Sequence, residues 1–375
     1  MKVSFERAGF LESFSLVAGI APTRTPKEIL QNVLLTVSDS QATLRASDTE
    51  VEMQVTITNG IDVESGGSVV IPVTRGLSIL RESSGESVTL EESDGVLLIK
   101  SNRSKFRLPL SDPATFPAFS DVQGENCIEM KTHLLADGIG KSHFAVDTAQ
   151  RSGRFSTGGL LVQSEDNRMA FVATCGRRVV SHVVDIIGGG SIDNNTTIVP
   201  LKGAKAILSA ARGSGEDIAK IYAGHSRFTA DFGDVLIHAR LIEGRFPDWR
   251  RLVPKHVSDN SAIVVAGEAD RSIRQASICT DKESLGIRFS FSKDSLVLEA
   301  KSAETGDSRV ECGLTYGGEE ASVILNGKMV ADFCRILDSE DEIFISMDGL
   351  QSSNGNPMVH MASGDLSMCM APIVG

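Results

Sequence analysis

Apolar and polar positions alternate along this chain in a pattern that is written three times. Val33-Leu34-Leu35-Thr36-Val37, a polar turn at Ser38-Asp39-Ser40, and Ala42-Thr43-Leu44-Arg45-Ala46 read with period two, as an antiparallel hairpin with one buried face requires. A shift of 127 residues carries Val33 onto Leu160 and then Ile287, Leu35 onto Val162 and Phe289, Leu44 onto Phe171 and Leu298, and Ala46 onto Ala173 and Ala300. The flanks repeat as well. A short strand (Val3-Ser4-Phe5, Ile128-Glu129-Met130, Ile263-Val264-Val265) precedes a segment with apolar residues at helical spacing, such as Phe10, Phe14 and Val17 or Leu134, Leu135 and Ile139. After each hairpin a further strand leads into a second helix, around Leu77 to Leu80, Ala204 to Leu208 and Val330 to Cys334.

Phe116-Pro117 and Phe246-Pro247 follow the closing strands of the first two units, and proline stops a strand there. The boundaries predict three like domains, 1–122, 126–254 and 260–375. Units of about 120 residues are too long for solenoid turns. The fold class is therefore α+β: three tandem copies of a small domain in which two helices pack on antiparallel sheets.

With 375 residues, 41% apolar and 23% charged, the composition excludes disordered, collagenous and coiled-coil chains. The formal net charge of −12 argues at first against nucleic acid as a partner. Its distribution weakens that inference: residues 259–375 hold 19 acids against 9 Lys and Arg, a net of −10, leaving −2 for residues 1–258. Charge at the N-terminus where a signal peptide is apolar, and no uncharged apolar run of ~18 residues, predict a cytoplasmic protein without a membrane partner. Six cysteines without a C-x-x-C pair read as reduced, mostly buried thiols, with no metal and no cofactor.

No copy carries a convincing catalytic set. His143 and Asp147 stand four apart near several serines, but no G-x-S-x-G elbow is present, and a helix end or loop is the better reading. Gly188-Gly189-Gly190 lacks the strand-then-helix layout of a phosphate cradle and reads as a flexible connection. The acidic run Asp338 to Glu342 reads as a solvated turn. Basic residues on the helices are more informative. Lys202 and Lys205 share a helical face, as do Arg271 and Arg274, while Arg75 and Arg81 flank a helix of the first copy. Their recurrence in all copies, even the acidic third, predicts one phosphate-facing surface. The loop Arg151-Ser152-Gly153-Arg154-Phe155 adds guanidiniums and an aromatic suited to backbone contact and stacking. No base-reading element is evident, so binding is expected to be sequence-independent and salt-sensitive.

Taken with these repeats, the segment Leu241 to Leu252 (Leu241-Ile242-Glu243-Gly244-Arg245-Phe246-Pro247-Asp248-Trp249-Arg250-Arg251-Leu252), the run Ala173 to Val179, the element Ser101 to Phe106 and the tail Met370 to Ile373 resemble the bacterial DNA polymerase III beta subunit, the sliding clamp, from end to end. The resemblance implies a non-catalytic processivity factor of the DNA clamp fold, a head-to-tail homodimeric ring around double-stranded DNA. It also implies partners that dock a short apolar peptide: the DNA polymerase III catalytic subunit, the clamp loader and other proteins with a clamp-binding motif. Carried over by position, that pocket falls on Thr157, Thr174, Gly176, Arg178, Val179, Pro247, Arg251, Leu252, Met370, Ala371, Pro372 and Ile373. DNA contacts fall on Arg24, Arg151, Phe155 and Lys202, and seam positions on Phe106, Ile278 and Cys279, with Arg103 and Lys105 facing Glu304 and Asp307 of a partner copy. Cys175 stands where the family usually has an aspartate. The alternative is a three-domain structural or adhesive protein without a DNA role, which gives the basic helices no purpose.

Overall fold

In each repeat the apolar residues of the hairpin face one another as the alternation demands. Leu35 lies opposite Leu44, Val162 opposite Phe171 and Phe289 opposite Leu298, and all six are buried. The computed structural model describes residues 1–93, 95–122, 127–149, 155–192, 195–254, 256–258, 261–348 and 357–373.

The first repeat runs β1 (Lys2–Glu6), α1 (Arg7–Ala18), β2 (Asn32–Ser38), β3 (Gln41–Ser47), β4 (Val51–Ile57), β5 (Ile61–Ser65), β6 (Gly67–Pro72), α2 (Val73–Glu82), β7 (Ser87–Ser93), β8 (Val96–Ser101) and β9 (Ser104–Pro109). The second runs β10 (Cys127–Lys131), α3 (Thr132–Gly140), β11 (Gly159–Glu165), β12 (Arg168–Thr174), β13 (Arg178–Asp185), β14 (Gly188–Gly189), β15 (Ile198–Pro200), α4 (Leu201–Gly213), β16 (Ile218–Ala223), β17 (Arg227–Asp231) and β18 (Val235–Arg240). The third runs β19 (Ala262–Val265), α5 (Ala266–Ala276), β20 (Gly286–Phe291), β21 (Ser295–Ser302), β22 (Gly306–Gly313), β23 (Ala321–Asn326), α6 (Gly327–Cys334), β24 (Glu342–Ser346), β25 (Val359–Ser363) and β26 (Leu366–Met370).

Each repeat deals its strands into two half-sheets, and neighbouring repeats fuse theirs. The chain packs as two compact units, residues 1–136, 186–191 and 202–241 in one, and 137–185, 192–201 and 242–375 in the other. The first unit contains a nine-stranded sheet, β14-β10-β16-β17-β18-β4-β3-β2-β6, and a five-stranded sheet, β5-β1-β7-β8-β9. The second contains an eight-stranded sheet, β15-β11-β12-β13-β26-β25-β24-β19, and a four-stranded sheet, β22-β21-β20-β23. Fusion occurs at the same place twice. The last strand of one repeat joins the strand after the hairpin of the repeat before it: β18 with β4, and β26 with β13.

Helices cover the buried faces. On α1, Phe10, Phe14 and Val17 are buried, and Glu6 caps the helix by accepting the Gly9 amide at 3.2 Å. Helices α1 and α2 pack together, and Gly76 of α2 permits it: a Cβ there would lie 2.6 Å from the Phe14 ring. The same layout recurs in α5 and α6, with Asn326 capping α6 through the Met329 amide at 3.1 Å. One expectation is corrected. Gly188 and Gly189 are not a flexible connection but the edge strand β14, paired with β10. Gly189 holds φ +115°, and a Cβ would stand 2.0 Å from the Cys127 carbonyl oxygen, so the backbones pair only because no side chain is present. Among the described residues, no helix is long and apolar enough to cross a membrane.

Candidate nucleic-acid interface and peptide pocket

The exposed sides of the helices carry base in every repeat. Arg75 and Arg81 on α2, Lys205 and Arg212 on α4, Arg271 and Arg274 on α5, and Lys328 on α6 are all exposed, as is Arg24 in the loop after α1. Phe155 is half-buried, and Arg151 and Arg154 lie outside the described residues. Lys202 differs from its neighbours. Its ammonium donates to the Ile20 carbonyl at 2.8 Å and is paired with Asp48, whose other oxygen accepts the Glu50 and Val51 amides at 3.0 and 2.7 Å. It therefore ties the first turn of α4 to two loops, one of which leads to Arg24. A cation already spent on a carboxylate releases few counterions when DNA arrives. Replacing Lys205 by alanine should lower the slope of log affinity against log salt by about 0.9, the value for one phosphate contact. Lys202→Ala should lower it clearly less, as fluorescence anisotropy over a salt series would read; equal losses would show that Lys202 leaves Asp48 for DNA.

The residues assigned to the peptide pocket converge in the second unit. Strand β13 lies beside β26, with Arg178 opposite Met370 and Val179 opposite Cys369, and the Ala371 amide donates to the Arg177 carbonyl at 3.0 Å. Val179 packs in one cluster with Phe246, Trp249, Val253 and Cys369. Thr157, Thr174, Val179 and Met370 are buried and form supporting structure. The Thr174 hydroxyl donates to the Arg178 carbonyl at 2.7 Å and accepts the Gly176 amide at 3.1 Å, shaping the turn. What remains open is Leu252, 38% exposed, with half-buried Pro247, Ala371, Pro372 and Ile373 and the exposed Gly176 and Arg251. Arg251 pairs with Asp248 at 2.7 Å. Apolar contact bordered by polar groups suits an apolar anchor.

Arg178 is not an open pocket wall. It is 7% exposed, donates to the Met329 carbonyl (3.1 Å), the Phe144 carbonyl (3.0 Å) and Asp332 (3.2 Å), and stacks over the Phe144 ring at 4.8 Å. Asp332 approaches Arg335 at 4.0 Å, Arg335 meets Asp270 at 3.2 Å, and Asp270 holds Arg274 at 2.8 Å. A chain of alternating charge thus runs from the pocket turn to helix α5. Sequence reasoning missed it, and it missed the Trp249 Nε1 bond to Gln163 at 2.9 Å, which seats the joint. Trp249, Gln163 and Val253 also line a cavity of about 410 Å³ that contains none of the residues assigned to the pocket.

The features that would mark an enzyme dissolve in the structure. His143 Nδ1 stands 3.0 and 3.1 Å from the Ile139 and Gly140 carbonyls at the end of α3. Asp147 accepts the Ala149 amide at 3.1 Å and the Thr157 hydroxyl at 3.3 Å, so the two do not form a dyad. Asp341 accepts the Asp338 amide at 3.0 Å within its own turn, and no metal-holding cluster occurs among the described residues. All six cysteines are free. Burial pushes the Cys312 thiol up to about 11 and those of Cys334 and Cys369 to about 12, which leaves them protonated and inert.

Among the terminal strands of the four sheets, two hold the positions at which neighbouring repeats fuse: among the described residues β9 pairs only with β8, and β22 only with β21. Strand β9 exposes Lys105 and Arg107 around the half-buried Phe106, with exposed Arg103 in the preceding turn. Strand β22 exposes Asp307, Arg309 and Glu311, with exposed Glu304 before it, 3.9 Å from Lys282. Ile278 is 74% exposed and Cys279 half-buried, both in the turn after α5.

Helix-backed half-sheets that fuse from one repeat to the next, with no catalytic constellation among the described residues, define a repeat-built scaffold. The family model for the DNA polymerase III beta subunit N-terminal domain matches residues 1–120, and that for its central domain matches 129–248. The chain is 28% identical to the beta sliding clamp of Proteus mirabilis over 355 residues, covering 94% of this chain and 95% of that one. It is 26% identical to the beta sliding clamp of Escherichia coli K12 over 353 residues, 94% of each. A Pseudomonas aeruginosa sliding clamp, DNA polymerase III subunit beta, solved bound to griselimycin shares the fold with TM-score 0.90 at 23% identity, covering all of both chains. The DNA polymerase III beta subunit of Thermotoga maritima does so with TM-score 0.88 at 19% identity, covering 100% and 99%. The chain belongs to the DNA polymerase III beta subunit family, the beta sliding clamps, and is a non-catalytic processivity factor of DNA polymerase.

Proposed function

We propose that two copies of this chain close head to tail into a ring that encircles duplex DNA without sequence preference. The ring then tethers the polymerase catalytic subunit, the clamp loader and other partners by short apolar peptides, in the cytoplasm. The observation that carries this reading is the pair of open edges. Strands β9 and β22 hold the same places in their repeats as β18 and β4, and as β26 and β13, which are already joined. The one join left unmade is available to a second copy, made twice in a symmetric pair. Basic β9 against acidic β22 favours that pairing over β9 with itself. In this reading the repeats 1–122, 126–254 and 260–375 are the domains, with Arg24, Arg75, Arg81, Lys205 and Arg271 turned to phosphate, while Arg274, like Lys202, is held by a carboxylate, that of Asp270. A closed ring holds DNA by topology, so weak contacts of this kind suffice and do not oppose sliding.

The protein loaded by its loader onto nicked circular DNA should remain bound through gel filtration and be lost once the circle is linearised. Equal retention on both forms would reject encirclement, and loss from both would favour a structural protein without a DNA role.

A further inference from the structure

The strand pairs β3–β4, β12–β13 and β21–β22 hold the same place in the three repeats and carry different side chains on the face opposite the helices. In the first, Arg45 lies across the ladder from Gln54 and donates to it at 2.7 Å, and Thr43 lies across from Thr56. In the third, Glu299 lies across from Arg309 and pairs with it at 2.7 Å. The matching positions of the second hold Val172 across from Ser181 and Ala170 across from Val183, an apolar floor where the other copies carry polar pairs. The joint after the second repeat covers part of that floor, since Trp249 and Val253 cluster with Ala170 and Val172. The rest opens into the cavity of about 410 Å³, whose apolar lining is Ala170, Val183, Trp249, Val253, Pro254 and Val257.

The size of this cavity lies in the range that small ligands fill. Ser181 is 2% exposed and lines it, yet its hydroxyl makes no hydrogen bond among the described residues, a state that a buried polar group keeps where a ligand or water meets it. The charges around the cavity decide which ligand that is. Arg168 is one guanidinium between two carboxylates, Asp185 at 3.3 Å and Asp365. Arg250 is taken up by Glu165 at 3.0 Å, and Asp166 has no cation within ion-pair distance among the described residues. Burial pushes the His360 imidazole below its usual range, so it adds no charge at neutral pH. These four carboxylates therefore meet two guanidiniums, Lys255 lying outside the described residues, and the balance favours a cation over an anion.

We propose that this cavity binds a small molecule with a protonated amine at one end of a short apolar body and a hydrogen-bonding group at the other. The ammonium meets Asp166 and Asp365, the body lies on Ala170 and Val183, and the far group meets the Ser181 hydroxyl. Ser181 lies opposite Ser367, which is two residues from Asp365 along β26, so the two ends stand about 7 Å apart. A chain of about six carbons spans that distance. The joint and the turns after β11 and β25 wall the cavity, which suits a free small molecule rather than a segment of chain. It shares no residue with the proposed peptide pocket, so occupancy here stands apart from partner docking there.

Trp249 is the single tryptophan of the chain, so its fluorescence reads this cavity in the full-length protein. Titration with 6-amino-1-hexanol at neutral pH and constant ionic strength should change the emission and saturate. The same body with the opposite charge, 6-hydroxyhexanoate, should bind about tenfold more weakly, because an attraction of exposed-pair size becomes a repulsion. Asp166→Asn removes the charge and keeps the turn, since asparagine tolerates the φ of +48° held there, and it should raise the aminohexanol midpoint about threefold. Ser181→Ala, which removes only the hydroxyl, should raise it by a similar factor, about that of one hydrogen bond. An emission that does not saturate, equal midpoints for the amine and the acid, or a midpoint unmoved in both variants would overturn the site and leave a water-filled cavity.

Discussion

Arg178→Ala should destabilise the chain by about 3 kcal/mol, the low end of the cost of removing one member of a buried ion pair. The low end applies because Asp332 keeps 25% of its side chain exposed and so retains some hydration when its partner is gone. The loss has three parts that act together. Asp332 loses its charge partner, the carbonyls of Met329 and Phe144 lose their donor, and the guanidinium no longer covers the Phe144 ring. All three anchor β13 to α6 and to the segment after α3, so the turn bearing Gly176 loses support and binding of a partner's peptide should weaken with it. Asp332→Asn separates the two effects. It does not touch the pocket turn, yet it should lose part of the same stability in urea unfolding. If Arg178→Ala abolished peptide binding while leaving the urea midpoint unchanged, Arg178 would be a contact residue and the bolt described here would be wrong.

That role shows where sequence reading reaches its limit. The repeats were legible because a buried cross-strand pair constrains both members: Leu35 with Leu44 recurs as Val162 with Phe171 and Phe289 with Leu298, and a change at either strand would leave a void or a clash. Basic positions on helices were legible for the same reason, since helical spacing fixes which residues share a face. What a polar side chain does with its charge is not periodic. Arg178 finds Asp332 in another repeat, and Lys202 finds Asp48 and the Ile20 carbonyl, ties that the sequence position of neither residue announces. Local spacing carries no trace of partners brought together by sheet fusion. The fusion itself was also hidden: β4 alternates, β13 is buried along nearly its whole length and β22 is exposed along most of it, and none of the three sequences carries a sign of which strand of another repeat lies beside it. Only the topology shows that two of these three edges are used within the chain.

The unused edge yields the second large effect: if two copies close as proposed, Ile278→Asp should leave monomers in place of the dimer and abolish retention on circular DNA. Among the described residues, Ile278 is the most exposed large apolar side chain, at 74%, and in the proposed ring its turn, packed against β22, lies at the edge that a second copy covers. Burying such a side chain is worth about 1.5–3 kcal/mol, and aspartate adds the cost of desolvating a carboxylate. A symmetric ring has two seams, so each substitution counts twice, and the apolar part alone weakens assembly by roughly 10²- to 10⁴-fold. Ile278→Leu keeps the apolar group and should remain dimeric, which separates loss of the seam from loss of the fold. Sedimentation velocity at low micromolar concentration reads the outcome directly. Because encirclement requires both seams closed, the monomeric variant should also fail to stay on nicked circles even when its peptide pocket still binds partners. A dimer of unchanged mass in Ile278→Asp would place the interface elsewhere and remove the ground for joining β9 to β22.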